Sequence, residues 1–545
     1  MKTICTTKKS LLLSRHAVRT FKSICVITAL VLPVSGTYAA SGPLAFSLTP
    51  IGRYTNDAPF NLSAAEIVTH DPIAQRLYVG NARDKRVDVL DISNPSTPTK
   101  IHSLDMSPYG AVVNSVAVQN GTVAIAVEAT VKTDPGVVVF FDTGHQHLST
   151  VVVGALPDMV KFSPDGHWLL VANEGEPDSY NSTNPPSIDP EGSVSVIDMS
   201  AGAVNATVRT ADFRAFNSGN LPAGVRIYGP NATPAQDFEP EYIAVSADST
   251  RAWVTLQENN ALAVVDIPNA VVTDILPLGF KDHNQSGAGL DASDQDNAIN
   301  IRPWPLKGIY CPDAIEAYNF RGATYLVMAN EGDTREWPGF REDVRLSTRT
   351  LDPVAFPNGA DLKRTNNLGR LAVSSVDGDL DGDGDLDEIY SYGARSFSVR
   401  DTGGNLIFDS GDQLERITAA AYPTNFNASH GNNSFDNRSP SKGPEPEGVA
   451  LGKVAGRMLA FIGFERIGGV AVYDVTNPFD VGFVDYVNTR NFAGAFNFAT
   501  SGDLGPEGLH FISADDSPNG KPLLVAAHEV SGSTVIFQVN KLTPR

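Results

Sequence analysis

Cysteine is almost missing from this chain, at three in 545 residues. Cys5 and Cys25 fall within the first forty residues, and Cys311 stands alone beside Pro312. No internal disulfide can staple the remainder, so stability has to come from an apolar core or from bound metal. Cys311 reads as a small buried apolar residue and not as a nucleophile. Basic residues are short too, with 41 Lys and Arg against 62 Asp and Glu, a net charge of −21. Nucleic acid is thereby excluded as a partner, because its phosphates need a basic face. Cations are favoured instead. No apolar run reaches the roughly 20 residues that a membrane-spanning helix needs. Gly-x-Ser-x-Gly, His-Glu-x-x-His and a phosphate-cradling glycine loop are all lacking, so no catalytic residue can be assigned. Histidines number ten; of these only His528 falls at a repeated position, which argues against a soft-metal site.

The first residues have a clear pattern. Lys2, Lys8, Lys9, Arg15, Arg19 and Lys22 come with no acid among them, then an apolar run over 24–34, then the small residues Thr37 and Ala39. Basic, apolar, small is the order of a secretory signal. Cleavage is expected after Ala39, with Ala40 the alternative, leaving residues 40–545 as one domain. Losing those six basic residues from 41 leaves 35 against 62 acids, a net of −27. The C-terminal stretch shows no anchor, so the expected location is periplasmic or secreted, with no membrane span after cleavage.

The rest repeats itself. A unit starts at an acid, runs through a short strand and a turn, and continues in an apolar strand that ends in a polar pair. A third strand then ends near Asp. One copy runs from Asp158 through Asn173-Glu174 to Asp198, and another from Glu239-Pro240-Glu241 through Glu258 to Asp266. Later copies start at Asp313, at Glu445-Pro446-Glu447 and at Glu507. Weaker ones run from Glu66 to Asp91 and from Asn114 through Glu128 to Asp142. β-Branched alternation and Asp-Gly turns make each an antiparallel meander. Seven units around an axis predict an all-β, seven-bladed β-propeller. The fifth unit carries a long insertion, about residues 336–440.

Within that insertion, Asp377, Asp379, Asp381, Asp383 and Asp385 alternate, with Gly382 between and Glu388 closing. Counted from Asp377, these occupy positions 1, 3, 5, 7, 9 and 12 of an EF-hand loop, with Gly at 6. The expected cofactor is calcium, bound between strands and not helices, and pinning the insertion.

Acids also recur at strand ends. The second strands close near Glu128, Glu174, Glu258, Glu331, Glu465 and Glu529, and the first strands open near Glu66, Asp158, Glu239 or Glu241, Asp313, Glu445 or Glu447, and Glu507. In a propeller such positions converge on one end of the axis. Converged carboxylates repel unless protonated or bridged by hard cations. The alternative is that they cap turns or pair with arginines. Arg335 and Arg466 are candidates for an anionic group, or for neutralising those acids.

Several stretches then resemble one family: Ala329-Asn-Glu-Gly-Asp-Thr-Arg-Glu336, residues 379–398, Gly443-Pro-Glu-Pro-Glu-Gly448, Gly502-Asp-Leu-Gly-Pro-Glu-Gly508, and residues 516–522 through 529–532. The chain resembles the choice-of-anchor I family, which is similar to the mesenchyme-specific cell surface glycoproteins of sea urchins. The resemblance covers essentially all of residues 40–545. It implies an exported propeller; some bacterial members are taken to be alkaline phosphatases or phytase-like esterases. His528 departs from the Asn expected there. Two functions stay open. One is a calcium-binding module for an extracellular surface ligand. The other is a calcium-dependent hydrolase of a phosphorylated small molecule, with metal on the acidic ring and Arg335 or Arg466 on the phosphate.

Overall fold

The middle strand of each repeat is apolar without alternation, as in Thr-Val-Ala-Ile-Ala-Val at 122–127 and Leu-Leu-Val-Ala-Ala at 523–527. A strand of that kind has both faces covered. The computed structural model shows how, over the residues it describes: 45–56, 63–181, 187–219, 221–493, 496–497 and 499–542. The expected signal, residues 1–39, lies outside them.

Among the described residues there are seven four-stranded antiparallel sheets. Their first strands are Val68–Asp71, Val112–Gln119, Pro157–Phe162, Pro240–Val245, Ile315–Phe320, Pro446–Val454 and Pro506–Ile512. Each packs against the first strand of the next sheet, and the seventh against the first. The sheets therefore form a ring, the arrangement of a β-propeller. Apolar wedges fill the gaps between neighbours. Leu77 and Ile536 belong to the wedge between the first and seventh sheets, and Phe238 and Met159 to the wedge between the third and fourth.

The seventh sheet takes its outer strand from the other end of the chain. Ala45–Thr55 pairs antiparallel with Ser533–Leu542 and closes the ring.

The insertion belongs to the fifth sheet as expected, but not as one block over 336–440. Ser396–Asp401 and Leu406–Asp409 are the third and fourth strands of that sheet, inside the expected span. The added mass comes from segments on either side of these strands and from residues before the sheet. A separate five-stranded sheet joins Phe280–Asp282, Lys307–Ile309, Tyr390–Tyr392, Ala372–Ser374 and Asp343–Arg345. It has its own apolar core, with Trp304, Leu346, Leu371 and Ile389. A nine-residue helix, Gln413–Ala421, follows the fourth strand.

Candidate functional site

The first strands share a local device. Pro157, Pro240, Pro446 and Pro506 sit opposite Asn173, Leu256, Phe464 and His528, and in each pair the register shifts just after the proline. A bulge of this kind re-aims the next side chain, and proline is tolerated because the strand lies on an inner edge. The next residue is Asp158, Glu241, Glu447 or Glu507. In two of these strands a glycine follows. A Cβ on Gly448 would stand 2.1 Å from the Glu507 carbonyl oxygen, and one on Gly508 2.3 Å from that of Glu66. Pro-Glu-Gly thus bends the strand, aims an acid along the axis and admits the neighbouring strand.

These acids meet in an axial cavity of about 310 Å³. From the first strands come Asp158, Glu241, Glu447 and Glu507, and from two residues before them Glu66 and Asp313. From just past the second strands come Glu174, Glu331, Glu465 and Glu529, with Asp333 beyond. Eleven carboxylates face two cations, Lys442 and Arg466. Lys442 Nζ lies 2.7 Å from Glu331 Oε1, and Arg466 lies 2.8 Å from Glu465 and 2.7 Å from Glu445. His430 joins from the insertion, 3.1 Å from Glu465. The opposite half of the axis is a second cavity of about 370 Å³, lined by both apolar and polar residues. Ile67, Ser115, Met159 and Tyr242 line both and stand between them.

Burial and mutual repulsion weaken these acids. Burial, opposed by a Ser63 hydrogen bond, pushes Glu66 up to about 8. Burial first, then like charge, brings Asp158 and Glu529 to about 7. Glu174, Glu241, Asp313, Glu447 and Glu507 are held well above the carboxylate range for the same two reasons. Glu241 Oε2 and Glu447 Oε2 are buried with no hydrogen-bond partner. Glu445 is the exception: burial pulls it upward, but Arg438, Lys442 and Arg466 outweigh that and hold it well below its usual range.

The structure thus gathers the expected ring acids other than Glu128 and Glu258, taking Glu241 over Glu239 and Glu447 over Glu445. Glu258 is the correction. Counting from the paired prolines, Gln257 is the equivalent of Glu174, Glu465 and Glu529, and Gln257 lines the cavity. Glu258 lies one residue further along and faces a different cavity. Glu128 does not line the axial cavity among the described residues, and Asn114 stands at the second sheet's place. Of its two expected roles, Arg335 takes the neutralising one and not the phosphate-binding one. It is 2% exposed, bound to Asp237 and 3.2 Å from Glu239, so its charge is spent on buried acids. Arg466 does line the axial cavity. His528 is buried in its strand, 2% exposed. The histidine beside the ring is His430, which no repeat pattern marks. Cys311 is fully buried, as expected.

The acidic loop is flanked by strands, Ala372–Ser374 and Tyr390–Tyr392, as expected. Its carboxylates are deployed differently. Asp379, Asp381 and Asp387 come within 4.8 Å of one another. Asp377 instead pairs with Arg226 at 2.8 Å. Glu388 pairs with Lys307 at 2.6 and 2.7 Å. Strands on both sides press positions 1 and 12 against basic residues, so the full EF-hand set is not assembled. Asp383 remains exposed and Asp385 half-buried, Asp383 accepting the Asp385 N–H at 3.1 Å. The trio offers only oxygen donors, which suit a hard cation.

A ring of sheets around an acidic axial cavity defines a β-propeller. The chain belongs to the choice-of-anchor I family, whose domain model matches residues 66–478. It is 35% identical to Gigasin-3a of Magallana gigas over 188 residues, 32% of this chain and 66% of that protein. It is 32% identical to the mesenchyme-specific cell surface glycoprotein of Strongylocentrotus purpuratus over 282 residues, 45% of this chain and 36% of that one. The chain therefore spans less than two thirds of these curated relatives. Among solved structures, Kuenenia stuttgartiensis hydrazine synthase matches at 13% identity and TM-score 0.45, covering 90% of this chain and 98% of that one. The Cps50 (Swd1) β-propeller domain of Myceliophteria thermophila matches at 10% identity and TM-score 0.40, covering 91% and 100%.

Proposed function

We propose that this chain is a surface-associated, seven-bladed β-propeller, one blade per sheet, that binds calcium or a similar hard divalent cation in its axial cavity. One observation carries the reading: eleven carboxylates line a single cavity against two cations. Such a set is stable only with protons or with cations among the oxygens. Glu241, Glu447, Glu507, Asp313 and Asp158 lack a cation of their own among the described ion pairs and offer ligands first. Asp379, Asp381 and Asp387 form a second, exposed calcium candidate that would pin the insertion. The surface role rests on the family and on the name of the sea-urchin relative. Among the described residues no helix is long and apolar enough to cross a membrane. Export to the periplasm or medium rests on residues 1–39.

A second reading, a calcium-dependent phosphoester hydrolase, is favoured by one feature. Arg466, Lys442 and His430 cluster on one side of the cavity, beside carboxylates that would hold metal. Metal there would neutralise charge and polarise a phosphoryl oxygen. Arg466 would hold the phosphate, and His430 stands near enough to move a proton.

Both readings are tested on the purified chain by calorimetric titration with calcium, alongside turnover of a phosphomonoester and a phosphodiester. Calcium binding lost in the Glu241→Gln, Glu447→Gln double variant supports the axial site. Unaltered binding in that variant removes it. Calcium-dependent turnover that disappears in Arg466→Met assigns the hydrolase, and no turnover leaves the binding module.

A further inference from the structure

His430 belongs to no repeat, yet the insertion delivers it to two acids of the ring. Its Nδ1 lies 3.1 Å from Glu465 Oε1 and 3.9 Å from Glu529 Oε1. One ligand atom from each of the three residues falls within 4.8 Å of the other two. Donors about 2.1 Å from a zinc-sized ion stand about 3.4 Å apart at a tetrahedral angle. Small side-chain adjustments therefore close these three atoms onto one ion. Glu465 and Glu529 line the axial cavity and His430 does not, so they meet at its wall, on the side of the insertion. Glu465 is buried there, and His430 and Glu529 are half-buried.

A positive charge already stands at this point. Arg466 Nη1 is 2.8 Å from Glu465 Oε1 and 2.9 Å from His430 Nε2. With a neutral imidazole, Nδ1–H donates to Glu465 and Nε2 accepts from Arg466. Arg466 has a second anchor, since its Nε donates to Glu445 Oε2 at 2.7 Å. An ion on Nδ1 moves the ring proton to Nε2, and Arg466 can no longer donate there. The guanidinium then keeps Glu445 and releases Glu465. Repulsion favours the exchange: burial first, then Glu465, raises Glu529 to about 7, and an ion between the two carboxylates relieves it.

We propose that His430, Glu465 and Glu529 form a separate metal site, at the wall of the axial cavity, for zinc or a similar borderline divalent cation. One imidazole with two carboxylates suits such an ion, whereas calcium takes oxygen donors alone. Three protein ligands leave a further position for water or for a ligand. Arg466 competes with the metal for its ligands. The site does not rest on the calcium reading, because Glu241, Glu447, Glu507, Asp313 and Asp158 take no part in it.

The test is a calorimetric titration of the intact chain with zinc, in excess calcium. The expected result is one zinc per chain, bound more weakly by roughly tenfold or more in His430→Gln and in Glu529→Gln, and more tightly in Arg466→Met. Thermal melting in chelator confirms that each variant is folded. The Glu241→Gln, Glu447→Gln double variant should keep its zinc. A parent chain that takes zinc but no calcium would remove the calcium reading and leave this site standing. Zinc affinity unchanged in His430→Gln overturns the site and assigns the zinc to other histidines. Absence of stoichiometric zinc binding overturns it as well.

Discussion

Lys307 Nζ stands 2.6 Å from Glu388 Oε2 and 2.7 Å from Oε1, so an ammonium from another strand occupies the carboxylate that closes an EF-hand loop. Calcium at this loop has to compete with that ammonium or do without Glu388. Lys307→Met should therefore tighten calcium binding at residues 377–388, and Asp379→Asn should abolish it. Calorimetric titration of both variants decides; equal affinity in Lys307→Met and parent would show that Glu388 takes no part.

The metal-free ring should be sensitive to alkali. Folding raises Glu66 to about 8 and Asp158 and Glu529 to about 7, chiefly by burial. A carboxyl raised on folding binds its proton more tightly when folded. Its stabilisation is complete below the unfolded value near 4 and is lost as pH rises through 7 to 8. The Tm of metal-free protein should fall between about pH 6 and pH 9. Calcium should restore it, and should bind more tightly across that same window. A melting series with and without chelator measures this, and a flat metal-free profile would contradict it.

Two glutamates two residues apart should respond in opposite directions. Glu447 Oε2 is buried without a partner, whereas Glu445 is held by Arg438, Lys442 and Arg466. Without metal, Glu447→Gln should stabilise the fold by on the order of 1 kcal/mol. Glu445→Gln should destabilise it by roughly 3–5 kcal/mol, because three cations lose their counter-charge. Urea unfolding of the two variants in chelator gives both numbers.

Gly508 carries a close approach between the seventh and first sheets, where an added Cβ would lie 2.3 Å from the Glu66 carbonyl. Gly508→Ala should cost about 1–3 kcal/mol and lower calcium affinity as well, since Glu66 and Glu507 both move. A loss of stability at unchanged affinity would separate the strand crossing from the cavity.

The seven repeats were legible because an inner strand has to present an acid, a turn and an apolar strand in a fixed order. The cavity was legible for the same reason, since equivalent positions share a radius. Where the reading slipped, it slipped by one residue: Gln257 breaks the run of glutamates, so Glu258 looked like the repeat. Pro240 opposite Leu256 fixes the register that composition could not. His430 comes from the insertion, outside any repeat, and only tertiary packing brings it 3.1 Å from Glu465. The alternating aspartates suggested an EF-hand loop by spacing alone, and spacing is blind to Arg226 and Lys307, which arrive from other segments. The outer strand Ala45–Thr55 was missed because its partner is at the far end of the chain.

That last strand fixes an orientation. Thr55 pairs with Ser533, which pairs with His528, opposite Pro506 at the acidic end of the axis; Ala45 pairs with Leu542 at the other end. The two ends of the ring therefore leave side by side, on the face turned away from the carboxylates. A pull applied at Leu542 would run lengthwise along Ser533–Leu542, loading its rungs together and not one at a time.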